Sequence, residues 1–223
     1  MDAATLAKKY KSDVVIGAMK YDNMPLEPQG SEKELYLPKQ KIVSLKKCFL
    51  GIPQTEIQYG ILGSPCGKLY KRNVVLKIMF SEKMTHLEDQ LFNRKFIDII
   101  QTAVLVPNLW YIYNQNDFSA MHNVTPGKYL EKLTGFFEEW ESMNEQEEKE
   151  IRVGARVSSI LFFYIAANDI VADESIFFIE RIRKLRNLYS YKIFSNLVYY
   201  SPLAVAFFVV FLVVAFFSSF TSS

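Results

Sequence analysis

Near its C-terminus the chain contains a long run of apolar residues with no polar interruption. Residues 203–217 read LAVAFFVVFLVVAFF. With the flanking residues 202–220 the segment reaches about 19 residues, or about 28 Å as a helix, close to the hydrocarbon thickness of a bilayer. A buried core helix would keep a polar stripe, and this segment has none. The pattern predicts one transmembrane helix within residues 197–220, with Leu203, Phe207, Phe208, Phe211, Leu212, Phe216 and Phe217 in the bilayer.

The apolar pattern of the first half favours strands. Residues 14–16 are β-branched, and Ile57, Tyr59 and Ile61 alternate with smaller or polar residues, which is the period of a half-buried strand. Residues 74–80 are mostly apolar and predict a more deeply buried strand. The predicted strands lie within residues 13–19, 35–37, 42–50, 57–62, 69–80 and 103–113.

Helix signals begin in the middle of the chain. Thr85 and Glu88 have the spacing of a capping box, and Thr125, Asn144 and Asp173 are suitable N-caps for three later helices. Apolar residues recur at helical spacing after these caps. The apolar stretch 159–167 is too short to span a bilayer and predicts a core helix. The predicted apolar stripes are Leu87, Leu91, Phe96, Ile99 and Ile100; Tyr129, Leu130, Leu133, Phe136, Phe137 and Trp140; and Phe178, Ile182, Leu185 and Tyr189.

These patterns predict an α+β protein with a mostly antiparallel sheet in the N-terminal half, a helical C-terminal half and a single C-terminal transmembrane helix. We divide the chain into a strand-rich part at residues 1–120, a helical part at 121–195 and the membrane segment at 197–220.

The distribution of basic residues predicts the orientation in the membrane. Basic residues precede the span, and only Thr221, Ser222 and Ser223 follow it, so the preceding part is expected in the cytosol. The apolar face of the preceding helix is expected to pack on the protein. Its basic face is then left for lipid headgroups. The predicted membrane-surface residues are Arg181, Arg183, Lys184, Arg186 and Lys192.

Overall charge changes this picture little. The chain carries 26 basic and 24 acidic residues, a net charge of +2, so a nucleic-acid partner is not expected. Two cysteines, Cys48 and Cys66, are too few for a disulfide framework, and we expect free thiols.

No motif predicts a catalytic, cofactor or metal site. Gly63 and Gly67 precede Lys68 as in a phosphate-binding loop, but only three residues separate the glycines and Leu69 follows the lysine. The segment 63–67 is therefore predicted to be a turn. The two histidines, His86 and His122, have no second ligand at metal-binding spacing.

An acidic run is the other charged feature. Most of it is expected to be a solvated helix face, and the functional alternative is a docking surface for a basic partner. The candidate docking residues are Glu138, Glu139, Glu141, Glu145, Glu147 and Glu148.

The sequence therefore predicts a tail-anchored, non-enzymatic adaptor or scaffold that recruits a protein partner to a membrane or organises that membrane. The endoplasmic reticulum or nuclear envelope is favoured over the mitochondrial outer membrane, because no basic residue follows the span. The Phe-, Tyr-, Ile- and Lys-rich composition also fits a viral membrane protein. The alternatives are a membrane-anchored enzyme with a scattered site, or a tail-anchored helical apoptosis regulator. The identity of the partner and the oligomeric state stay open.

Overall fold

The computed structural model describes residues 2–22, 31, 33–57, 63–80, 84, 87–114, 129–172 and 175–190. The chain forms two compact units, residues 1–122 and 123–223. The described residues contain a four-stranded sheet and eight helices, one of them a short 3-10 helix. The predicted α+β class is thereby confirmed. The sheet also disagrees with the alternative of an all-helical apoptosis regulator.

The sheet of the N-terminal unit combines parallel and antiparallel pairs. Its strands are β1 (Val14–Tyr21), β2 (Leu35–Leu37), β3 (Lys68–Tyr70) and β4 (Ala103–Tyr113), in the order β2-β4-β1-β3. β1 and β4 pair in parallel at the centre, while β3 and β2 add antiparallel edges. The sequence analysis predicts a mostly antiparallel sheet and does not include this parallel central pair. A parallel pair needs a long crossover, and residues 22–102 supply it.

β1 and the first four residues of β4 are buried on both faces, as their continuous apolar sequence requires. On one face, Val14 and Ile16 belong to the larger core with Leu45, Phe96 and Leu105. On the other face, Val15, Val104 and Val106 pack with Leu6 of helix α1 (Ala3–Tyr10). Asp2 caps α1 by accepting a hydrogen bond from the Thr5 N–H at 2.9 Å, which the sequence patterns did not reveal.

Two segments that were predicted to be strands contain helices instead. The predicted strand 42–50 is occupied by helix α2 (Ile42–Phe49), in which Ile42, Leu45 and Cys48 are buried. The predicted strand 69–80 is confined to β3, and Arg72–Val75 form the short helix α3. Leu76 and Met79 are 63% and 74% exposed, so this stretch is not a deeply buried strand.

Helix α4 (Glu88–Ile99) lies close to its predicted position. Its N-cap is Leu87, in the left-handed conformation at φ 60° and without a side-chain cap. Leu91, Phe96 and Ile100 are buried as the stripe predicts. The predicted cap Thr85 lies outside the described residues.

In its described residues the C-terminal unit is helical, as the sequence predicts. Helices α5 (Tyr129–Glu145) and α6 (Lys149–Ala172) pack together, and α7 (Phe178–Ser190) packs on α6. Trp140 is buried and donates its Nε1 hydrogen to the Ala155 carbonyl at 3.2 Å. Phe162, Ala166 and Ala167 are buried, which agrees with a core helix at residues 159–167.

Several sequence predictions lie outside the described residues. These are residues 58–62, His86, His122, Thr125, Asp173, Lys192 and the membrane segment 197–220. Within the described part, no helix combines the length and apolarity needed to cross a membrane.

Candidate functional site

A loop held against the central strand positions the candidate site. Residues 63–67 form turns and bends that lead into β3, as the turn prediction requires. The N–H of Gly17 on β1 donates to the Gly67 carbonyl at 2.9 Å. Gly67 has φ +68°, a conformation that side chains disfavour. The loop thereby places Lys68 at the start of the edge strand.

The ammonium group of Lys68 points back toward this loop. Its Nζ donates a hydrogen bond to the carbonyl of Ser64. Burial lowers the pKa of Lys68 to about 7, although the nearby Cys66 and Asp89 oppose this shift. Lys68 therefore changes its charge near neutral pH.

Asp89 supplies the opposite charge from the first turn of α4. Burial raises its pKa, and Glu88 adds to this effect. The Gln90 N–H donates to Asp89 Oδ1 at 2.7 Å, and this hydrogen bond and the charge of Lys68 act in the opposite direction. A carboxyl group with a raised pKa beside a lysine with a lowered one is an arrangement that clusters at functional sites.

Asn93 ties the parts of the site together. It is 2% exposed, and its Nδ2 donates to the carbonyls of Gly63 at 2.8 Å and Asp89 at 2.9 Å. Its Oδ1 accepts from the Tyr70 hydroxyl at 2.8 Å. Burial is also the main cause that raises the pKa of Tyr70. One side chain thus joins the loop, β3 and α4, and fixes their relative positions.

Cys66 is a half-buried residue of the loop before Lys68. Its N–H donates to Ser64 Oγ at 3.1 Å. The pKa of Tyr111, on β4, is raised by a hydrogen bond with Cys66 and by the charge of Cys66. Both cysteines are free, as predicted. Cys48 is buried, and burial raises the pKa of its thiol to about 11, so that thiol is poorly suited to reaction.

We define the Lys68 site as Cys66, Lys68, Tyr70, Asp89 and Asn93. A cavity of about 10 Å³ lies beside Lys68 and Asn93, with an otherwise apolar lining that includes Val14, Ile16 and Phe96. It has room for about one water molecule at most.

No motif in the sequence predicts this site, because Cys66, Lys68 and Tyr70 belong to one loop and strand, while Asp89 and Asn93 belong to a helix further along the chain. In the sequence, Lys68 stands out only by its position after Gly67. Among the described residues, no group of His, Cys, Asp and Glu is arranged to hold a metal ion.

The structure divides the predicted membrane-surface residues between two sides of α7. Arg183 and Arg186 are exposed, whereas Arg181 and Lys184 are half-buried and the Nε of Arg181 is fully buried. Ile182, which was expected to pack inward, is 49% exposed. Lys192 and the seven predicted transmembrane residues lie outside the described part.

The predicted docking residues follow α5 into the turn before α6. Glu138, Glu145 and Glu148 are exposed, and Glu139, Glu141 and Glu147 are half-buried. Glu138, Glu141 and Glu145 share one side of α5. The neighbouring side contains the buried residues Leu133, Phe136, Phe137, Trp140 and Asn144.

Comparisons with known proteins identify no family for the chain. No family model and no curated protein matches it. Among solved structures, the chain is similar to S. aureus TarS 1–349 in complex with UDP-GlcNAc, with a TM-score of 0.47 and 18% identity over 78% of this chain and 44% of that one. S. aureus TarS 1–349 alone gives a TM-score of 0.40 and 18% identity over 78% and 42%. The chain thus spans less than half of these structures, and similarity at this level establishes neither a shared fold nor a shared function.

Proposed function

We propose that the chain is a membrane-attached protein whose N-terminal unit binds a polar ligand at the Lys68 site. One observation supports this most directly. Lys68 and Asp89 carry opposite charges at a loop–helix junction. Burial lowers the pKa of Lys68 and raises that of Asp89, so it favours the neutral form of both side chains. Such a pair costs folding free energy, and ligand binding is a reason to retain it.

The chemistry of the pair favours a ligand with hydroxyl or anionic groups. Lys68 can donate hydrogen bonds to an anion, and Asp89 can accept one from a hydroxyl group. If the site is enzymatic, Asp89 is the group suited to remove a proton, because a raised pKa brings a carboxylate closer to the ideal for general-base catalysis at neutral pH. A membrane-anchored enzyme is therefore included in this proposal.

The test compares the parent with Lys68→Met and Asp89→Asn variants of the full-length protein in detergent. Thermal unfolding is followed with a panel of nucleotides, sugar phosphates and small carboxylic acids. Matched controls are Lys77→Met and Asp22→Asn, which change the same residue types at exposed positions. We expect at least one compound to raise the Tm of the parent and both controls but not of the site variants.

Two outcomes would count against ligand binding at this site. One is a compound that stabilises the site variants as much as the parent. The other is a complete panel without effect on the parent at millimolar concentrations.

Membrane attachment is proposed from the sequence. Residues 203–217 are apolar on every helical face, so a single span accounts for them most simply. The basic residues before the span favour a cytosolic N-terminal part. The endoplasmic reticulum or nuclear envelope is the proposed location.

An adaptor or scaffold function is the second candidate, and the acidic side of α5 favours it. Glu138, Glu141 and Glu145 follow one another along a helix face that borders the side packed in the core, with Glu138 and Glu145 exposed and Glu141 half-buried. Such a face complements a basic segment of a partner protein. The adaptor would hold that partner at the membrane.

Proximity labelling with the full-length chain tests the adaptor candidate. Glu138→Gln/Glu141→Gln/Glu145→Gln should lose partners that the parent labels, whereas Glu34→Gln/Glu56→Gln, at exposed positions in the other unit, should keep them. Identical labelling by the parent and the α5 variant would remove the acidic face from the adaptor candidate.

A further inference from the structure

The exposed side of α7 combines apolar and basic residues in one stripe. Ile179, Ile182, Arg183 and Arg186 have the spacing i, i+3, i+4 and i+7, which places them on one helix face. Ile179 is 80% and Ile182 49% exposed. The side chain of Arg183 is 70% exposed, and Arg186 is also exposed. We name these four residues the α7 stripe.

The residue before the helix extends this surface. Phe177 is 89% exposed, and its carbonyl accepts hydrogen bonds from the N–H groups of Glu180 and Arg181 at 2.9 and 3.1 Å. A large aromatic side chain is thus held at the start of α7. Exposing three large apolar side chains to water at neighbouring positions is unfavourable, so Phe177, Ile179 and Ile182 indicate an interaction surface.

The composition of the stripe favours a bilayer surface as its partner. A basic protein surface would be repelled by the arginines, and a purely apolar groove would leave both guanidinium groups without water. A bilayer surface satisfies both residue types, because isoleucines enter the acyl boundary while arginines extend to the headgroups. Anionic lipid adds attraction to each arginine.

The position of α7 in the sequence supports the same partner. α7 ends at Ser190, and the apolar run begins at residue 203. Twelve intervening residues span at most about 40 Å when extended. If the run crosses a bilayer, α7 remains within reach of that bilayer's surface.

We infer that α7 lies on the bilayer as an interfacial helix, with Phe177 and the α7 stripe in the headgroup region of anionic lipid. This inference rests on the membrane attachment proposed above. It differs from a surface formed by basic residues alone, since Arg181 and Lys184 are half-buried on the other side of α7. Glu180 forms a 2.6 Å ion pair with Arg183 and reduces, but does not cancel, the positive charge of the stripe.

The test uses the full-length chain in lipid nanodiscs that contain anionic phospholipid brominated near the headgroup. Ile179→Trp adds a fluorophore to the stripe, and Val157→Trp adds one to an exposed position on α6. The emission of Trp110 and Trp140 is subtracted using the parent. We expect brominated lipid to quench most of the added emission from position 179 and little from position 157.

A charge variant tests the lipid preference. Arg183→Gln/Arg186→Gln should reduce the quenching at position 179, while Lys8→Gln/Lys11→Gln, a pair of exposed lysines on and just after α1, should not. Unchanged quenching in the arginine variant would overturn the preference for anionic lipid.

The remaining outcomes separate the inference from the proposed attachment. If the chain enters nanodiscs but position 179 is not quenched, the interfacial helix is wrong and the attachment stands. If the chain does not enter nanodiscs, the attachment fails and the inference fails with it. Equal quenching at positions 179 and 157 would also overturn the assignment of the stripe as the contacting face.

Discussion

The hydroxyl of Tyr70 donates a hydrogen bond to Oδ1 of the buried Asn93 at 2.8 Å, and this contact joins the edge strand β3 to helix α4. Asn93 also donates to the carbonyls of Gly63 and Asp89. Every polar atom of the Asn93 side chain therefore has a partner. The Lys68 site depends on this residue for its geometry, although Asn93 itself is too buried to meet a ligand easily.

Replacing Asn93 with Ala should destabilise the N-terminal unit. The change leaves the Tyr70 hydroxyl and two carbonyls without their partner, and a buried unsatisfied polar group costs about 1–3 kcal/mol. Urea unfolding of the full chain in detergent measures the loss. Trp110 fluorescence in a Trp140→Phe background reports on this unit alone, since the chain has only these two tryptophans.

The control for this experiment is Asn73→Ala, at an exposed position on α3. It should change the free energy of unfolding by about 0.5 kcal/mol or less. Equal urea midpoints for the two variants would show that the Asn93 contacts do not hold the site together.

Asp13 gives a prediction with a defined pH dependence. Its carboxylate accepts from the Gln101 N–H at 2.8 Å and forms an ion pair with Lys71 at 2.9 Å. Burial opposes ionisation, but these two interactions outweigh it and hold the pKa of Asp13 below its usual value. Because the pKa is lower in the folded state, ionised Asp13 stabilises the folded protein above the unfolded-state pKa of about 3.9. This stabilisation is lost as the pH falls through the folded-state pKa.

Asp13→Asn should therefore lower the free energy of unfolding at pH 7 by about 1.5–3 kcal/mol, the usual contribution of hydrogen bonds to a charged group. The difference from the parent should shrink as pH falls below about 4. Urea unfolding at pH 7 and pH 3 measures both values, and Asp22→Asn at an exposed position serves as the control. A difference that stays constant between these pH values would contradict the assigned role of the charge.

The central strands were predictable because their burial on both faces requires apolar runs. Residues 14–16 and 103–106 contain only apolar residues, and both are strands as predicted. Around residue 42, the residue types and the spacing of the apolar residues favour different elements. Ile42 and Val43 favour a strand by residue type, whereas the buried residues Ile42, Leu45 and Cys48 follow helical spacing. Packing against the sheet decided in favour of the helix.

The Lys68 site was not predictable for a different reason. Lys68 and Asp89 come together only because β3 pairs with β1 and α4 packs beside it, and both contacts join distant parts of the chain. No local pattern encodes the burial that shifts their pKa values. The turn at residues 63–67 was predictable from its Gly and Pro residues, but the turn alone does not reveal which side chains it brings together.

Lys68 should make the free energy of unfolding depend on pH in the alkaline range. Its pKa is lowered by burial to about 7 in the folded state, below the unfolded value of about 10.4. The unfolded state binds more protons between these values, so the free energy of unfolding of the parent should rise with pH from about 7 to 10. Lys68→Met removes the titrating group and should show a smaller rise. Urea unfolding at pH 7 and pH 9.5 measures the slope.

Lys77→Met, at an exposed position, is the matched control and should retain the slope of the parent. If Lys68→Met and Lys77→Met have the same pH dependence, Lys68 is not desolvated in the folded protein. The charge pair that supports ligand binding would then lose its main argument.

Deleting residues 202–223 should release the chain from membranes, because this segment contains the complete apolar run. A spanning helix resists alkaline carbonate, whereas an interfacial helix gives weaker, reversible association. Fractionation before and after carbonate treatment therefore distinguishes the span from the α7 stripe. We expect the truncated chain to leave the pellet completely in carbonate, and to leave it only in part at low salt if α7 contacts lipid. Replacing the segment with an unrelated apolar sequence of the same length should restore carbonate resistance. A truncated chain that remains in the carbonate-resistant pellet would show that another part of the protein enters the bilayer, and the single-span topology would be wrong.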